Sequence, residues 1–280
     1  MIQLHSDHDV REHCHLATVP LILVPTMGAL HVGHFSLIAK AKKLAGEYGK
    51  VIVSIFVNPI QFDRSQDLET YPRPLEQDLT HCERLGVDYV FTPSADSFYV
   101  QDRSIEVSEN SLSSLLCGST RPGHFDGVCT VITKLFNLLQ PSAAIFGEKD
   151  YQQLAIIKRL VRDLSYQIEI IGHPTVREVS GLALSSRNLK LTEEDLLLAP
   201  AIREGLLLAK ALYDNGERSA DRILSKFRLH LDKAAPLSSI DYLECVDAET
   251  LQGVKTVERP AVIATAVFFG QVRLIDNIVL

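Results

Sequence analysis

Few cysteines, no long apolar run and no excess of positive charge set the first limits on this 280-residue chain. The five cysteines, Cys14, Cys82, Cys117, Cys129 and Cys245, fall into no CxxC or Cys/His metal spacing. An odd, scattered set of thiols suits a reducing compartment better than a disulfide framework. Cys129, inside an apolar run, reads as a small core residue. No apolar stretch approaches the ~20 residues that span a bilayer. Residues 1–7 have neither the cationic start nor the apolar centre of a secretory signal, so a cytoplasmic protein with no membrane partner is expected. Lys and Arg number 28 against 35 Asp and Glu, a formal charge of −7. That balance argues against a nucleic acid or an anionic lipid surface as the main partner, while leaving room for a local basic pocket around a phosphorylated ligand. Internal repeats, low-complexity tracts and charge blocks are missing too.

What is present is an ordinary globular composition, 46% hydrophobic and 22% charged, enough for one large domain or two modest ones. Apolar, β-branched runs at 21–24, 51–57, 87–91, 143–146 and 168–171 alternate with helical patterns, which predicts an α/β fold with a doubly wound parallel sheet. Ligands of such sheets bind beyond the carboxyl ends of the strands. The residues there are polar: Asn58-Pro59-Ile60-Gln61-Phe62 after one run, and Gly147-Glu148-Lys149-Asp150 after another. These loops are expected to converge on one cleft. Composition changes at His173-Pro174, so a first domain over 1–174 and a smaller α+β domain over 175–280 are predicted. The second should hold helices at 193–213 and 220–233 and strands at 240–246, 261–269 and 273–278.

The most informative segment is PTMGALHVGH, residues 25–34. An apolar strand pattern precedes it, and Phe35, Leu37, Ile38, Ala41 and Leu44 follow at helical spacing, so it occupies a strand-to-helix turn. A helix N-terminus offers unpaired N–H groups and partial positive charge, and glycine lets the backbone approach a ligand. His31 and His34 can donate to phosphoryl oxygens as charge builds there. This turn resembles the ATP signature of the HxGH nucleotidyltransferase superfamily, which includes class I aminoacyl-tRNA synthetases and small adenylyltransferases. The second domain is too short for the anticodon-binding apparatus of a tRNA synthetase.

Further motifs narrow the resemblance. FVNPIQF, YPR, RPGHFDGVCTVITKLF, FGEKDYQQ, VREVSGLALSSRN and RLIDN follow PTMGALHVGH in order over most of the chain. Together they closely resemble the pantothenate synthetase family, ligases that join pantoate to β-alanine with ATP. The resemblance implies a Rossmann-like sheet of the HxGH type and a reaction through pantoyl adenylate, with AMP and pyrophosphate released. It implies that His31, His34, Lys149, Ser185, Ser186 and Arg187 are catalytic. ATP would also meet Met27, Gly28, Gly147, Asp150 and Val176. Ser185-Ser186-Arg187 would serve as the counterpart of the synthetase KMSKS loop, where hydroxyls and a guanidinium fork steady the leaving pyrophosphate. Gln61, Gln153 and Asn58 would hold pantoate, since amides donate and accept without adding a repelling charge. Phe62 would cover its gem-dimethyl group. Asp78 is the expected ligand of Mg2+, which needs only one or two protein carboxylates when phosphates supply the rest. Arg121 is expected either at a dimer contact or near β-alanine, and a homodimer is expected by analogy.

Two departures stand out. The family's usual Asp before Gly-Leu-Ala is Ser180 here, and its usual cationic residue ahead of RLIDN is replaced near Val267-Phe268-Phe269. Two other readings compete with the ligase: a nucleotidyltransferase that keeps the nucleotide in its product, and a catalytically silent nucleotide-binding protein. FVNPIQF and VREVSGLALSSRN favour the ligase over the first. The intact histidines, Lys149 and Ser185-Ser186-Arg187 disfavour the second.

Overall fold

In a computed structural model, which describes residues 1–14, 19–63 and 65–280, the chain divides into two compact units. The first comprises residues 1–110, 121–148 and 153–174; the second comprises 111–120, 149–152 and 175–280.

Among the described residues the first unit holds a six-stranded, wholly parallel sheet: β1 (Ile2–Leu4), β2 (Leu21–Thr26), β3 (Lys50–Ile55), β4 (Tyr89–Phe91), β5 (Ala143–Gly147) and β6 (Glu169–His173), in spatial order β1-β4-β3-β2-β5-β6. The central strands are apolar on both faces, as a sheet covered on both sides requires: Leu23, Val24, Ile52 and Val53 have no exposed surface. The helix Val32–Ala45 buries Ile38 and Ala41 in a cluster with Ile22, Val24, Val51, Val53 and Val90. Strand order reverses between β2 and β5, which makes the carboxyl end of β2 the switch point where ligands of such sheets bind.

All five apolar runs match the observed strands to within two residues at each end, and the edge strand β1, only three residues long, has no sequence signal comparable to theirs. The pattern at 193–213 forms two helices, Glu193–Leu198 and Ala201–Asp214, because Pro200 has no N–H to continue the hydrogen-bond ladder.

The second unit contains an antiparallel sheet of β7 (Ser239–Asp247), β8 (Ala261–Phe269) and β9 (Val272–Val279). The helices Ala201–Asp214 and Ala220–Ala234 share a core with it around Phe227, which is fully buried. Gly205 allows the helices to meet: a Cβ there would lie 2.8 Å from the Phe227 ring.

Asp88 ties the first unit's layers together. Its carboxylate accepts from the Val51 N–H (2.9 Å), Lys50 Nζ (3.0 Å) and Lys42 Nζ (3.2 Å). Burial alone would raise its pKa, but the Val51 amide and the two lysines reverse that and hold it below the ordinary carboxylate value. A carboxylate depressed in the folded state contributes stability above its unfolded pKa and loses that contribution as pH falls through the folded one. Asp88→Asn is therefore expected to lower the urea midpoint at neutral pH and to flatten its decline through the acid range. A parallel decline in variant and parent would contradict this role.

Candidate active site

The turn after β2 is held from both ends. Thr26 Oγ1 donates to the Ser54 carbonyl (2.8 Å) and accepts from the Gly28 N–H (3.2 Å). Gly28 and Ala29 both adopt positive φ, +84° and +51°. Only glycine takes such a conformation without strain, so Ala29 must be held in it. Asp78 supplies the hold: its Oδ2 accepts from the Ala29 N–H and its Oδ1 from the Leu30 N–H, each at 2.8 Å.

The helix that follows is capped by imidazole rather than by a hydroxyl or carboxylate. His31 Nδ1 accepts from the Gly33 N–H (3.1 Å), and His34 Nδ1 accepts from the His31 N–H (3.2 Å), a reciprocal capping box. The rings lie 4.2 Å apart between centroids. Because both Nδ1 atoms act as acceptors, the ring proton of each histidine sits on Nε2, which becomes a donor of fixed direction.

A second set of polar residues occupies the turn after β3. Asn58, 1% exposed, receives the Tyr99 hydroxyl on Oδ1 (2.9 Å). Its Nδ2 donates to Gln61 Oε1 (2.9 Å) and to the Gly127 carbonyl (3.0 Å). Gln61 Nε2 then donates to Met27 Sδ at 2.9 Å. Burial raises the Tyr99 pKa, so its hydroxyl keeps its proton. The helix His124–Leu139 presses on this turn so closely that a Cβ at Gly127 would lie 2.5 Å from the Ile60 carbonyl oxygen. His124 Nδ1 is 2.8 Å from the Gln61 carbonyl oxygen, and Arg121 pairs with Asp63 at 2.8 Å. Phe62 stands edge-on to Tyr71.

Of the expected site residues, Met27, Gly28, His31, His34, Asn58, Gln61, Phe62, Gly147 and Gln153 belong to the first unit; Lys149, Asp150, Val176, Ser185, Ser186 and Arg187 belong to the second. Gln61 touches both Met27 and Asn58 directly, and the two histidines lie against each other. Gln153 is half-buried, whereas its neighbour Gln152 is 6% exposed and consumed by the 112–117 loop. In the second unit Ser185 Oγ caps the short helix Ser186–Lys190 by accepting from the Arg187 N–H. Ser180 Oγ accepts weakly from the Leu182 N–H at 3.4 Å, a local turn bond. Tyr99, His124 and Gly127 were not singled out by sequence; only the RPGHFDG motif pointed near the last two.

The expectation for Asp78 is corrected. Its side chain is 1% exposed with both oxygens bound to backbone N–H groups, and burial raises its pKa against the pull of those bonds. A magnesium ligand needs an oxygen open to the cation, so Asp78 does not fit that role. No cluster of three or more His, Cys, Asp or Glu able to hold a metal occurs among the described residues. Nor is any described helix long and apolar enough to cross a membrane.

The fold and this turn define an α/β protein whose sheet, at its switch point, presents two histidine donors and a helix N-terminus suited to an anionic ligand. The comparisons are more specific. The family model for pantoate-beta-alanine ligase matches residues 3–279. The chain is 55% identical over 271 residues, 96% of its length and 93% of the relative's, to a pantothenate synthetase of Akkermansia muciniphila. It is similar to the crystal structure of pantothenate synthetase from Thermus thermophilus (TM-score 0.93, 39% identity, 99% of both chains covered). It also resembles the pantoate-beta-alanine ligase of Francisella tularensis complexed with beta-gamma ATP and beta-alanine (TM-score 0.80, 36% identity, 99% and 97% covered). The chain belongs to the pantoate–β-alanine ligase family, whose members are named pantothenate synthetases.

Asp78→Ala should strand the Ala29 and Leu30 N–H groups and cost about 1–3 kcal/mol in a urea titration. An unchanged midpoint would show that the turn does not depend on this carboxylate.

Proposed function

We propose that this protein condenses pantoate with β-alanine at the expense of ATP, through pantoyl adenylate. The pantoate carboxylate attacks the α-phosphorus and pyrophosphate leaves. The β-alanine amine then attacks the acyl carbon, forming the amide and expelling AMP. Adenylation is needed because a carboxylate has no leaving group that an amine can displace near neutral pH. The observation that carries the reading is the histidine turn: with both Nδ1 atoms committed to backbone N–H groups, the Nε2–H donors are preorganised for phosphate oxygens. Membership of the family supplies the substrates.

Within this proposal Met27, Gly28, Gly147, Asp150 and Val176 line the nucleotide, and His31 and His34 stabilise charge on its phosphates. Lys149 neutralises the α-phosphate, and Ser185, Ser186 and Arg187 steady pyrophosphate. Gln61 and Gln153 bind pantoate's oxygens, Asn58 holds the Gln61 amide in place beside them, and Phe62 packs on pantoate's methyl groups. Magnesium enters with ATP and takes phosphate oxygens as its ligands, with no protein residue assigned to hold it. A cytoplasmic homodimer, inferred from the family resemblance, completes the reading; sedimentation of the purified chain tests the dimer.

With ATP, magnesium and both organic substrates, pantothenate and AMP should appear in equal amounts. His34→Ala should lower kcat by about 10²–10³-fold, well beyond the ~1 kcal/mol of stability expected to go with its cap bond to the His31 N–H; a variant with the parental rate would remove His34 from the mechanism. Gly127→Ala, whose methyl displaces the Gln61 turn, is expected to raise the pantoate KM by about tenfold or more while leaving the ATP KM near the parental value. Equal effects on both would indicate general damage instead.

A further inference from the structure

The last strand carries two adjacent polar residues that the proposed reaction does not use. Asp276 is 4% exposed and accepts both prongs of the Arg177 guanidinium, Nη1 at 2.6 Å and Nη2 at 2.8 Å. The same Nη1 donates to the Gly181 carbonyl at 3.1 Å. Around it the chain forms a tight hairpin: Leu184 N–H donates to the Val176 carbonyl, Glu178 N–H to the Leu182 carbonyl, and Gly181 N–H to the Glu178 carbonyl. One arm of the hairpin runs directly into Ser185. Asn188 Nδ2 donates to the Ala183 carbonyl and to Glu178 Oε1, tying the Ser186–Lys190 helix back onto the same hairpin.

Asn277 points to the opposite face of β9, as alternation in a strand requires. Its Nδ2 donates to the Lys149 carbonyl at 3.0 Å, and its own N–H donates to Asp276 Oδ1 at 2.8 Å, fixing that carboxylate's orientation. β9 itself is held by continuous pairing with β8, Asp276 opposite Thr265 and Asn277 opposite Ala264. A rigid strand therefore reaches two phosphate-handling segments with two consecutive side chains.

We propose that Asp276, acting through Arg177, and Asn277 are positioning residues: Asp276 sets where Ser185, Ser186 and Arg187 stand, and Asn277 sets the backbone that carries Lys149. The inference rests on the roles given above to Lys149 and to Ser185-Ser186-Arg187. Arg177 suits the task where lysine would not, because its planar fork holds a carboxylate with two donors and keeps one of them on a carbonyl. Arg203 lies alongside, its pKa lowered by burial and by Arg177 and raised by Asp276, so this carboxylate balances two guanidinium groups.

The test uses Arg177→Lys, Asn277→Ala and Asp276→Asn in the full-length protein, with three readouts: unfolding midpoint, steady-state kinetics in ATP and in pantoate, and backbone amide exchange. Arg177→Lys keeps the charge and is the safeguard should Asp276→Asn fail to fold. In the folded variants kcat is expected to fall about 10- to 100-fold and the ATP KM to rise, while the pantoate KM stays parental. Amide exchange should quicken across 178–188 in Arg177→Lys and across 148–152 in Asn277→Ala, each without the other. A merely structural role would lower kcat in proportion to the unfolded fraction and leave both KM values and the local exchange unchanged; that result overturns the proposal, as does parental kinetics in folded variants. A parent protein that makes no pantothenate overturns the ligase reading, and the exchange pattern then decides the anchoring by itself.

Discussion

The arrangement at the end of β2 depends on a buried carboxylate gripping two consecutive backbone amides. Without Asp78, the Ala29 and Leu30 N–H groups would have no partner in a turn that already strains Ala29 into positive φ. Taking a carboxylate out of water is costly, and the two charge-assisted hydrogen bonds recover part of that cost, and only in one geometry. The consequence reaches the next residues. Once Leu30 is fixed, His31 begins the helix at a set angle, its Nδ1 finds the Gly33 N–H, and His34 closes the box behind it. Each link converts a flexible polar group into one with a defined tautomer and direction. In phosphoryl transfer little is asked of the protein beyond such positioning and charge stabilisation.

The turn after β3 follows the same logic with neutral groups. Tyr99, Asn58, Gln61 and Met27 form a chain in which each amide atom has an assigned partner, so the donors and acceptors cannot exchange roles. Gly127 makes the chain compact by admitting a helix backbone against the Gln61 turn. In the proposed reaction, amides rather than ionised groups suit an anionic substrate whose carboxylate is to act as nucleophile, since a strong cation would hold it in its ground state.

Much of the fold was legible because its signals are local. The runs at 21–24 and 143–146 are buried strands, and few alternatives suit four consecutive apolar residues between turn signals. β1 escaped notice because a three-residue edge strand gains its structure from its pairing with β4. Pro200 was visible in the sequence, yet the apolar periodicity on both sides disguised the break. The site was legible only where its residues are contiguous: the histidine turn announces itself, and the family motifs extend it. Asp78 was misread because sequence shows a carboxylate near a helix start and says nothing of the amides 48 and 49 residues away that occupy it. Tyr99 and Gly127 act through long-range contacts, and a glycine that permits a close approach looks like any other glycine. Gln152 and Gln153 are chemically equal neighbours, and only burial separates a structural amide from one still open to a ligand.

The central claim is that a pantoate oxygen attacks the α-phosphorus of ATP. Its most direct test is a reaction with pantoate carrying oxygen-18 in its carboxylate, followed by mass analysis of the products. The account predicts one labelled oxygen in each AMP, carried there when β-alanine expels the nucleotide. Label in pyrophosphate or inorganic phosphate with unlabelled AMP would contradict it and would place the attack on a different phosphorus.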